Sequence, residues 1–329
     1  MRWLVVLPYA RAGLMGMDFA DELRALGHDV DLFPYRRDNV LYKNKSTKLA
    51  YQRALNRRLE RHARAQRPDA VLVIKGGPLD PEVLRRVKRA TRAVLMNVFP
   101  DNPLWMMPFE QIEPYDLFFT KERYALRQLE MVGLRNLAYL PMYCVPSLHH
   151  PVPVDPARKT ELEGVVALVG ARYPYRERLV RELADFPVRV WGPGWRGGDA
   201  TLARRIAGGY VDGPAKLAIY CGATLSLNPH HPMNDIVGVN TRAFELAAAG
   251  ACQVVDLKEE LPQLFKPGEE AVAYRDLAEL RRQLTYYLAH PDEARAIGEN
   301  ARRRAMAEHT VRHRVEEIIA TMRDRLGRA

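Results

Sequence analysis

The feature that most constrains this chain is an alternation that runs twice. Short apolar runs rich in β-branched residues alternate with segments of helical periodicity, and the pattern breaks once before it restarts. In the first half, strands are expected at residues 3–7, 30–33, 70–74, 93–97, 117–120 and 137–140. Helices are expected in MDFADELRALGHDV, with Phe19, Leu23 and Leu26 on its inner face, at 45–67, at 80–89 and in KERYALRQLEMVG. In the second half, strands are expected at 165–169, 188–191, 223–227, 252–255 and near 271–274. Helices fall from about Tyr175, at 216–220, 241–249, 258–265 and 276–289, and through nearly everything after Pro291. Strands that alternate with helices build parallel sheets covered on both faces. The fold class is therefore α/β, as two Rossmann-like α/β/α domains with C-terminal helices, facing one another across a cleft where ligands often bind.

The break is at residues 141–160, PMYCVPSLHHPVPVDPARKT, which hold five prolines and no periodicity. A chain of 329 residues suits two domains of about 150 residues each. The expected division is 1–145, a linker at 146–160, a second domain at 161–309, and a C-terminal helix at 310–329 that packs back toward the first domain. Ile318, Ile319 and Met322 give that helix an apolar stripe, and Thr310 is a credible cap.

The net charge of +10 admits nucleic acid, an anionic membrane surface or an anionic small substrate as partner. The arginines are spread through helical segments such as RRLERHARAQR, as solvated faces. With no helix-turn-helix or aromatic platform, nucleic acid is not the expected partner. Peripheral membrane contact stays open. Cys144, Cys221 and Cys252 are odd in number and far apart, which argues against a disulfide scaffold or a cysteine zinc site and fits a reducing cytoplasm. The N-terminus lacks the long apolar region of a signal peptide, and no apolar stretch reaches the length of a membrane span.

Several strand ends carry polar or glycine-bearing loops, where open α/β sheets bind ligands. Gly13 and Gly16 follow the first strand without the spacing of a dinucleotide fingerprint, so they are an anion or sugar site, or only a tight turn. Gly76 and Gly77 either bring the backbone close to a ligand or turn the chain. Asp101, in FPDNPLWMMPF, is an acceptor-binding group or base, or an Asx-turn residue. Arg172 and Arg176 sit at a strand-to-helix junction suited to a diphosphate. His149 and His150 read as an exposed loop pair, and NPHHPMNDIVG supplies no convergent metal set. The most informative stretch is 240–251. Arg242 and Glu245 are three apart and share a helix face. They form a salt bridge, or they present a carboxylate to ribose hydroxyls, with Asn240 and Thr241 as phosphate donors at the helix start.

The second half resembles the CgeB-like glycosyltransferases, named for a spore maturation protein, and more distantly the two-domain retaining glycosyltransferases of the GT-B fold. The stretches that carry the resemblance are VVALVGARYPYRERLVREL, VRVWGPGW, LSLNPH, NTRAFELAAAGA, LFKPGEEAVAYRDLAELRRQLTYYLAHPDEARAIGENARRR and EHTVRHRVEEI. The first half is similar mainly through VLVIKGGPL, VFPDNP and DLFFTKE. The resemblance implies a GT-B-like arrangement with an acceptor-side first domain and a nucleotide-sugar-binding second domain. It implies ribose contact by Glu245, diphosphate contact near Asn240, Thr241 and Arg242, and Gly170 with Arg172 at the first turn of the donor domain. Gly13, Gly16, Gly76 and Gly77 fall on the acceptor side. The broader family's first glutamate, eight positions before the second, is here Val237, and Asp235 is the acid that can replace it. Asp101 is the acceptor-side catalytic candidate.

The expected function is transfer of a sugar from a nucleotide-diphosphate sugar to a glycan or other hydroxyl-bearing acceptor. Retention is implied by the resemblance. No metal is required and no cofactor is tightly bound, because arginines and helix N-termini can stabilise the leaving diphosphate. A non-catalytic nucleotide-sugar or glycan-binding protein and a sugar-nucleotide epimerase are the rival readings.

Overall fold

Each run of the alternation closes into one parallel six-stranded sheet. The computed structural model describes residues 1–36, 45–196 and 198–327; Gly197 of the expected GPGWRGG turn and residues 328–329 of the C-terminal segment lie outside these.

The first sheet comprises β1 (Arg2–Leu7), β2 (Asp29–Pro34), β3 (Ala70–Ile74), β4 (Val94–Phe99), β5 (Leu117–Thr120) and β6 (Leu137–Tyr139), in the order β2-β1-β3-β4-β5-β6. Its crossovers are α1 (Met17–Ala25), α2 (Lys45–Gln66), α3 (Pro81–Thr91), the short α4 (Pro103–Met106) and α5 (Arg123–Met131). Strands β3, β4 and β5 are buried at every residue. That accounts for sequences that read as continuous apolar runs rather than alternating ones, as sheets covered on both faces require.

The second half opens with α6 (Pro156–Leu162). Then come β7 (Val166–Val169), α7 (Pro174–Glu182), β8 (Val188–Trp191), α8 (Ala200–Ala203), β9 (Ile206–Gly208), α9 (Gly213–Gly222) and β10 (Leu225–Asn228). They are followed by α10 (Thr241–Ala248), β11 (Gln253–Asp256), α11 (Leu261–Leu264), β12 (Val272–Tyr274), α12 (Leu277–Ala289) and α13 (Pro291–Glu308). The sheet order is β12-β11-β10-β7-β8-β9. Along β7, Val166 and Leu168 join one core cluster while Ala167 and Val169 join another, the period of two that puts neighbours on opposite faces. The last helix, α14 (Val311–Leu326), buries Ile318, Ile319 and Met322 and packs against α1.

By compactness the chain forms two units. One is Met1–Pro141 with Met233–Ile236 and Val311–Ala329; the other is Met142–Pro232 with Val237–Thr310. The short segment that carries Asp235 thus belongs with the first sheet, although the chain reaches it from β10.

Three expectations are corrected. Residues 156–162 are helical rather than irregular: Asp155 accepts hydrogen bonds from the amides of Ala157 (3.0 Å) and Arg158 (3.4 Å), and Pro156 occupies the first helical position. The loop after β4 is not wholly irregular, since Asn102 and Pro103 start α4 in the same way. Strand β9, only IAG, carries no apolar run and lies at the sheet edge.

Candidate functional site

In a doubly wound sheet, the helices after the two central strands lie on opposite faces, and a crevice opens between those strand ends. In the second sheet this switch point lies between β7 and β10. Gly170 follows β7, and Asn228 ends β10. A methyl group on Gly170 would stand 2.8 Å from Arg242 Nη2 and 2.9 Å from Arg176 Nη1. The missing side chain therefore lets two guanidinium groups converge over the strand end.

Arg176 is buried on the first turns of α7 and donates to the carbonyls of Ala171 (3.0 Å) and Pro229 (3.4 Å). Arg242, on the first turn of α10, donates to Asn228 Oδ1 at 3.5 Å and makes no ion pair among the described residues. Asn228 is fully buried and exchanges hydrogen bonds with Asn240 (3.0 and 3.2 Å). Asn240 in turn caps α10 by accepting from the Ala243 amide at 3.1 Å. This network fixes the helix start and the arginine that follows it. Thr241 is half-buried beside them.

One turn further along α10, Glu245 meets Lys216 of α9 at 2.9 Å and His149 Nε2 at 3.9 Å. Its side chain is 19% exposed. Burial raises its pKa, but Lys216, His149 and Arg242 outweigh that and hold it below the usual glutamate value. Burial lowers the pKa of His149, against the pull of Glu245. Of the two readings of Arg242 and Glu245, the salt bridge is not formed; Lys216 takes the carboxylate instead. The site thus pairs an ionised carboxylate, able to accept hydroxyl hydrogen bonds, with cations able to hold an anion.

The remaining predicted residues divide between lining and structural positions. Arg172 is exposed and paired with Glu177, its Nε 2.6 Å from the carboxylate. His149 is half-buried against Glu245, not exposed as expected; His150 is exposed. An Asp-x-Asp triplet, Asp29 to Asp31, lies on β2, where Asp31 bonds His62 at 2.5 Å.

The first sheet has its own switch point, between β1 and β3. Gly13 and Gly16 follow β1, and Gly76 and Gly77 follow β3, so all four expected acceptor-side glycines sit there. Gly16 and Gly76 have φ of +106° and +87°, and a side chain on either would press within 3 Å of Leu7 or Val73. They are turn residues that only glycine satisfies. Gly77 has open space beside it. Asp101, after β4, is 2.6 Å from Lys75 Nζ. Lys75 itself has φ of +62°. Asp235 is buried in an ion pair with Lys121, each side chain 3% exposed, while Glu122 accepts the Ile236 amide at 2.9 Å. Both candidate acids are therefore engaged by lysines, and Asp235 is closed to solvent.

Residues 172–320 match the model of a family described as glycosyl transferase-like. No curated protein sequence matches the chain. Among solved structures, sucrose-phosphate synthase from Thermosynechococcus elongatus superposes with a TM-score of 0.74 at 14% identity, over 98% of this chain and 99% of the other. HepE of Anabaena, solved in complex with UDP and glucose, superposes with a TM-score of 0.67 at 14% identity, over 98% and 100%. A glycosyltransferase from Rickettsia africae gives 0.69 at 11% identity, over 100% and 99%. The two parallel six-stranded sheets are thus those of the GT-B fold. The match over residues 172–320 is to the enzyme class expected from the sequence, and the structural neighbours share the fold.

Sequence reasoning passed over Lys216 and Asn228 and placed His149 in an exposed loop. Lys216 and His149 carry no spacing signal, because they meet Glu245 only through the fold. Asn228 left a weak one, a polar residue closing the buried strand LSLN.

Proposed function

We propose that the protein is a retaining, metal-independent glycosyltransferase of CgeB-like type that uses a nucleotide-diphosphate sugar and a hydroxyl-bearing acceptor. The observation that carries this reading is the convergence of Arg176 and Arg242 over Gly170, with an ionised Glu245 on the same helix as Arg242. The guanidiniums suit a diphosphate, and the carboxylate suits the two hydroxyls of a ribose. The Asn240-capped start of α10, with Thr241, adds helix-end amides to the phosphate side.

In the reaction, the bond from the anomeric carbon to the β-phosphate oxygen breaks as the bond to the acceptor oxygen forms. The acceptor proton leaves with the diphosphate. Arg176 and Arg242 stabilise the charge that develops on the leaving group, so the protein itself supplies the positive charge that this chemistry needs. Retention is supported by the resemblance carried in NTRAFELAAAGA. Asp101 would act on the acceptor side after release from Lys75. A reducing cytoplasm suits three free cysteines. No helix is long and apolar enough to cross a membrane among the described residues.

Val237 stands where the broader family has a glutamate, and it is 9% exposed. That observation favours a second reading, a protein that holds the nucleotide sugar without transferring it. UDP-glucose is the first donor to test, since HepE was solved with it. Release of UDP that depends on an acceptor, with the product anomer assigned by NMR and EDTA present, supports the enzyme. UDP-glucose binding without release across a broad acceptor panel supports the binding protein. Interconversion of the free donor would identify an epimerase.

A further inference from the structure

Gly77 borders a cavity of about 370 Å³ in the first unit, between α2, the loop after β3 and Gln111. Its shape is fixed by Asn56, a buried residue of α2. Asn56 Nδ2 donates to the Pro78 carbonyl at 3.1 Å, and its Oδ1 accepts from the Asp80 amide at 2.8 Å, tying the loop to the helix.

The cavity has two chemically distinct sides. Arg53 and Arg57 lie four residues apart on α2, hence on one face, and both are exposed. Neither makes an ion pair or hydrogen bond among the described residues. Arg86, also in the lining, is already held by Glu60 at 3.0 Å. Like charges spaced four apart on a helix repel, and an anion between them removes that cost. The other side is made of acceptors. Gln111 Nε2 donates to the Gly77 carbonyl at 3.4 Å, and its Oε1 is shielded from solvent without a partner. The Asp80 carboxylate, which caps α3, is also in the lining. An inorganic anion would satisfy the guanidiniums and leave those oxygens unused. A molecule with an anionic end and several hydroxyls would satisfy both.

We propose that this cavity binds the acceptor, and that the acceptor is a sugar or polyol bearing a phosphate or carboxylate, with the anion on Arg53 and Arg57 and hydroxyls toward Gln111, Asp80 and Gly77. The proposal rests on the glycosyltransferase reading, and it names the acceptor class for that reading.

The test is calorimetric titration of the full chain, without donor, using glucose 6-phosphate, glucuronate, glucose and inorganic phosphate. At least one of the two anionic sugars binds, at least tenfold more tightly than glucose and than inorganic phosphate, and which one binds separates phosphate from carboxylate recognition. Its affinity falls with rising salt. The double variant Arg53→Gln/Arg57→Gln raises its Kd at least tenfold. Gly77→Leu does the same with both arginines intact, since that position has ordinary φ and no atom within 4 Å of an added Cβ. UDP titrated into the same variants serves as the fold control and keeps its wild-type affinity. Failure of both anionic sugars to bind, binding no tighter than that of inorganic phosphate, or equal binding by wild type and variants would overturn the proposal. UDP binding that persists through such a failure leaves the donor site standing. Anionic-sugar binding with no UDP binding would sink the donor reading instead.

Discussion

At the residue scale, Gly170 and Glu245 carry most of the account. Gly170→Ala places a methyl group against two guanidinium tips, which are flexible ends and can move aside. The fold survives, and UDP affinity falls about tenfold as the arginines part, equivalent to about 1.4 kcal/mol. The matched control is Gly192→Ala. Its methyl group would stand 2.1 Å from the Gly170 carbonyl oxygen, which is backbone and cannot yield. That variant loses on the order of 1–3 kcal/mol of stability in urea unfolding, or fails to fold. Glu245→Ala removes a charged hydrogen-bond acceptor and weakens UDP binding by about 1.5–3 kcal/mol, read by calorimetry.

The same corner sets a pH dependence. His149 has a folded pKa below its ordinary 6.5, so the unfolded chain takes up the proton first. Its contribution is complete above 6.5 and is lost as pH falls from there to the folded value. Glu245, also depressed, contributes fully above its unfolded value, and that contribution fades as pH falls through the folded one. Both act in the same direction. Urea midpoints should therefore decline on acidification from neutral pH, and His149→Asn should flatten the part of the decline that begins below pH 6.5. An unchanged slope would remove His149 from the explanation.

At the element scale, a buried ion pair pins the Met233–Ile236 segment. Lys121 at the end of β5 meets Asp235, and both are almost solvent-free. Lys121→Met removes the cation from a buried carboxylate and costs about 3–5 kcal/mol in urea unfolding, whereas Lys121→Met with Asp235→Leu recovers most of the loss. No recovery would mean that the pair does more than fix the segment. Lys121 and Asp235 lie in different halves of the sequence, so no spacing rule could have joined them. Buried strands, in contrast, were legible almost to the residue: WLVVL and AVLVI have no solvent-facing position to disguise them. Proline after a cap was misread at Asn102–Pro103 and Asp155–Pro156, though not at Asp80–Pro81, where a helix was expected. Asp80–Pro81, Asn102–Pro103 and Asp155–Pro156 each start a helix, because the side chain satisfies an amide and proline has none to satisfy. In 141–160 the number of prolines hid that local signal.

At the scale of the whole molecule, two sheets each place their marked residues at their own switch point. The fold was readable from the doubled alternation, and the GT-B neighbours bear it out over the full length of the chain. The residues proposed for the donor come together only in part. Arg176, Arg242, Asn240 and Glu245 gather at one strand junction, whereas Arg172 pairs on the surface with Glu177. Lys216, which holds Glu245, became visible only through the ion pair that the fold makes between them. The most direct test is a crystal structure of the protein with UDP-glucose. The account predicts the diphosphate between Arg176 and Arg242 over Gly170, with ribose hydroxyls within about 3 Å of Glu245. A nucleotide bound elsewhere, or bound here with its ribose turned away from Glu245, would contradict it.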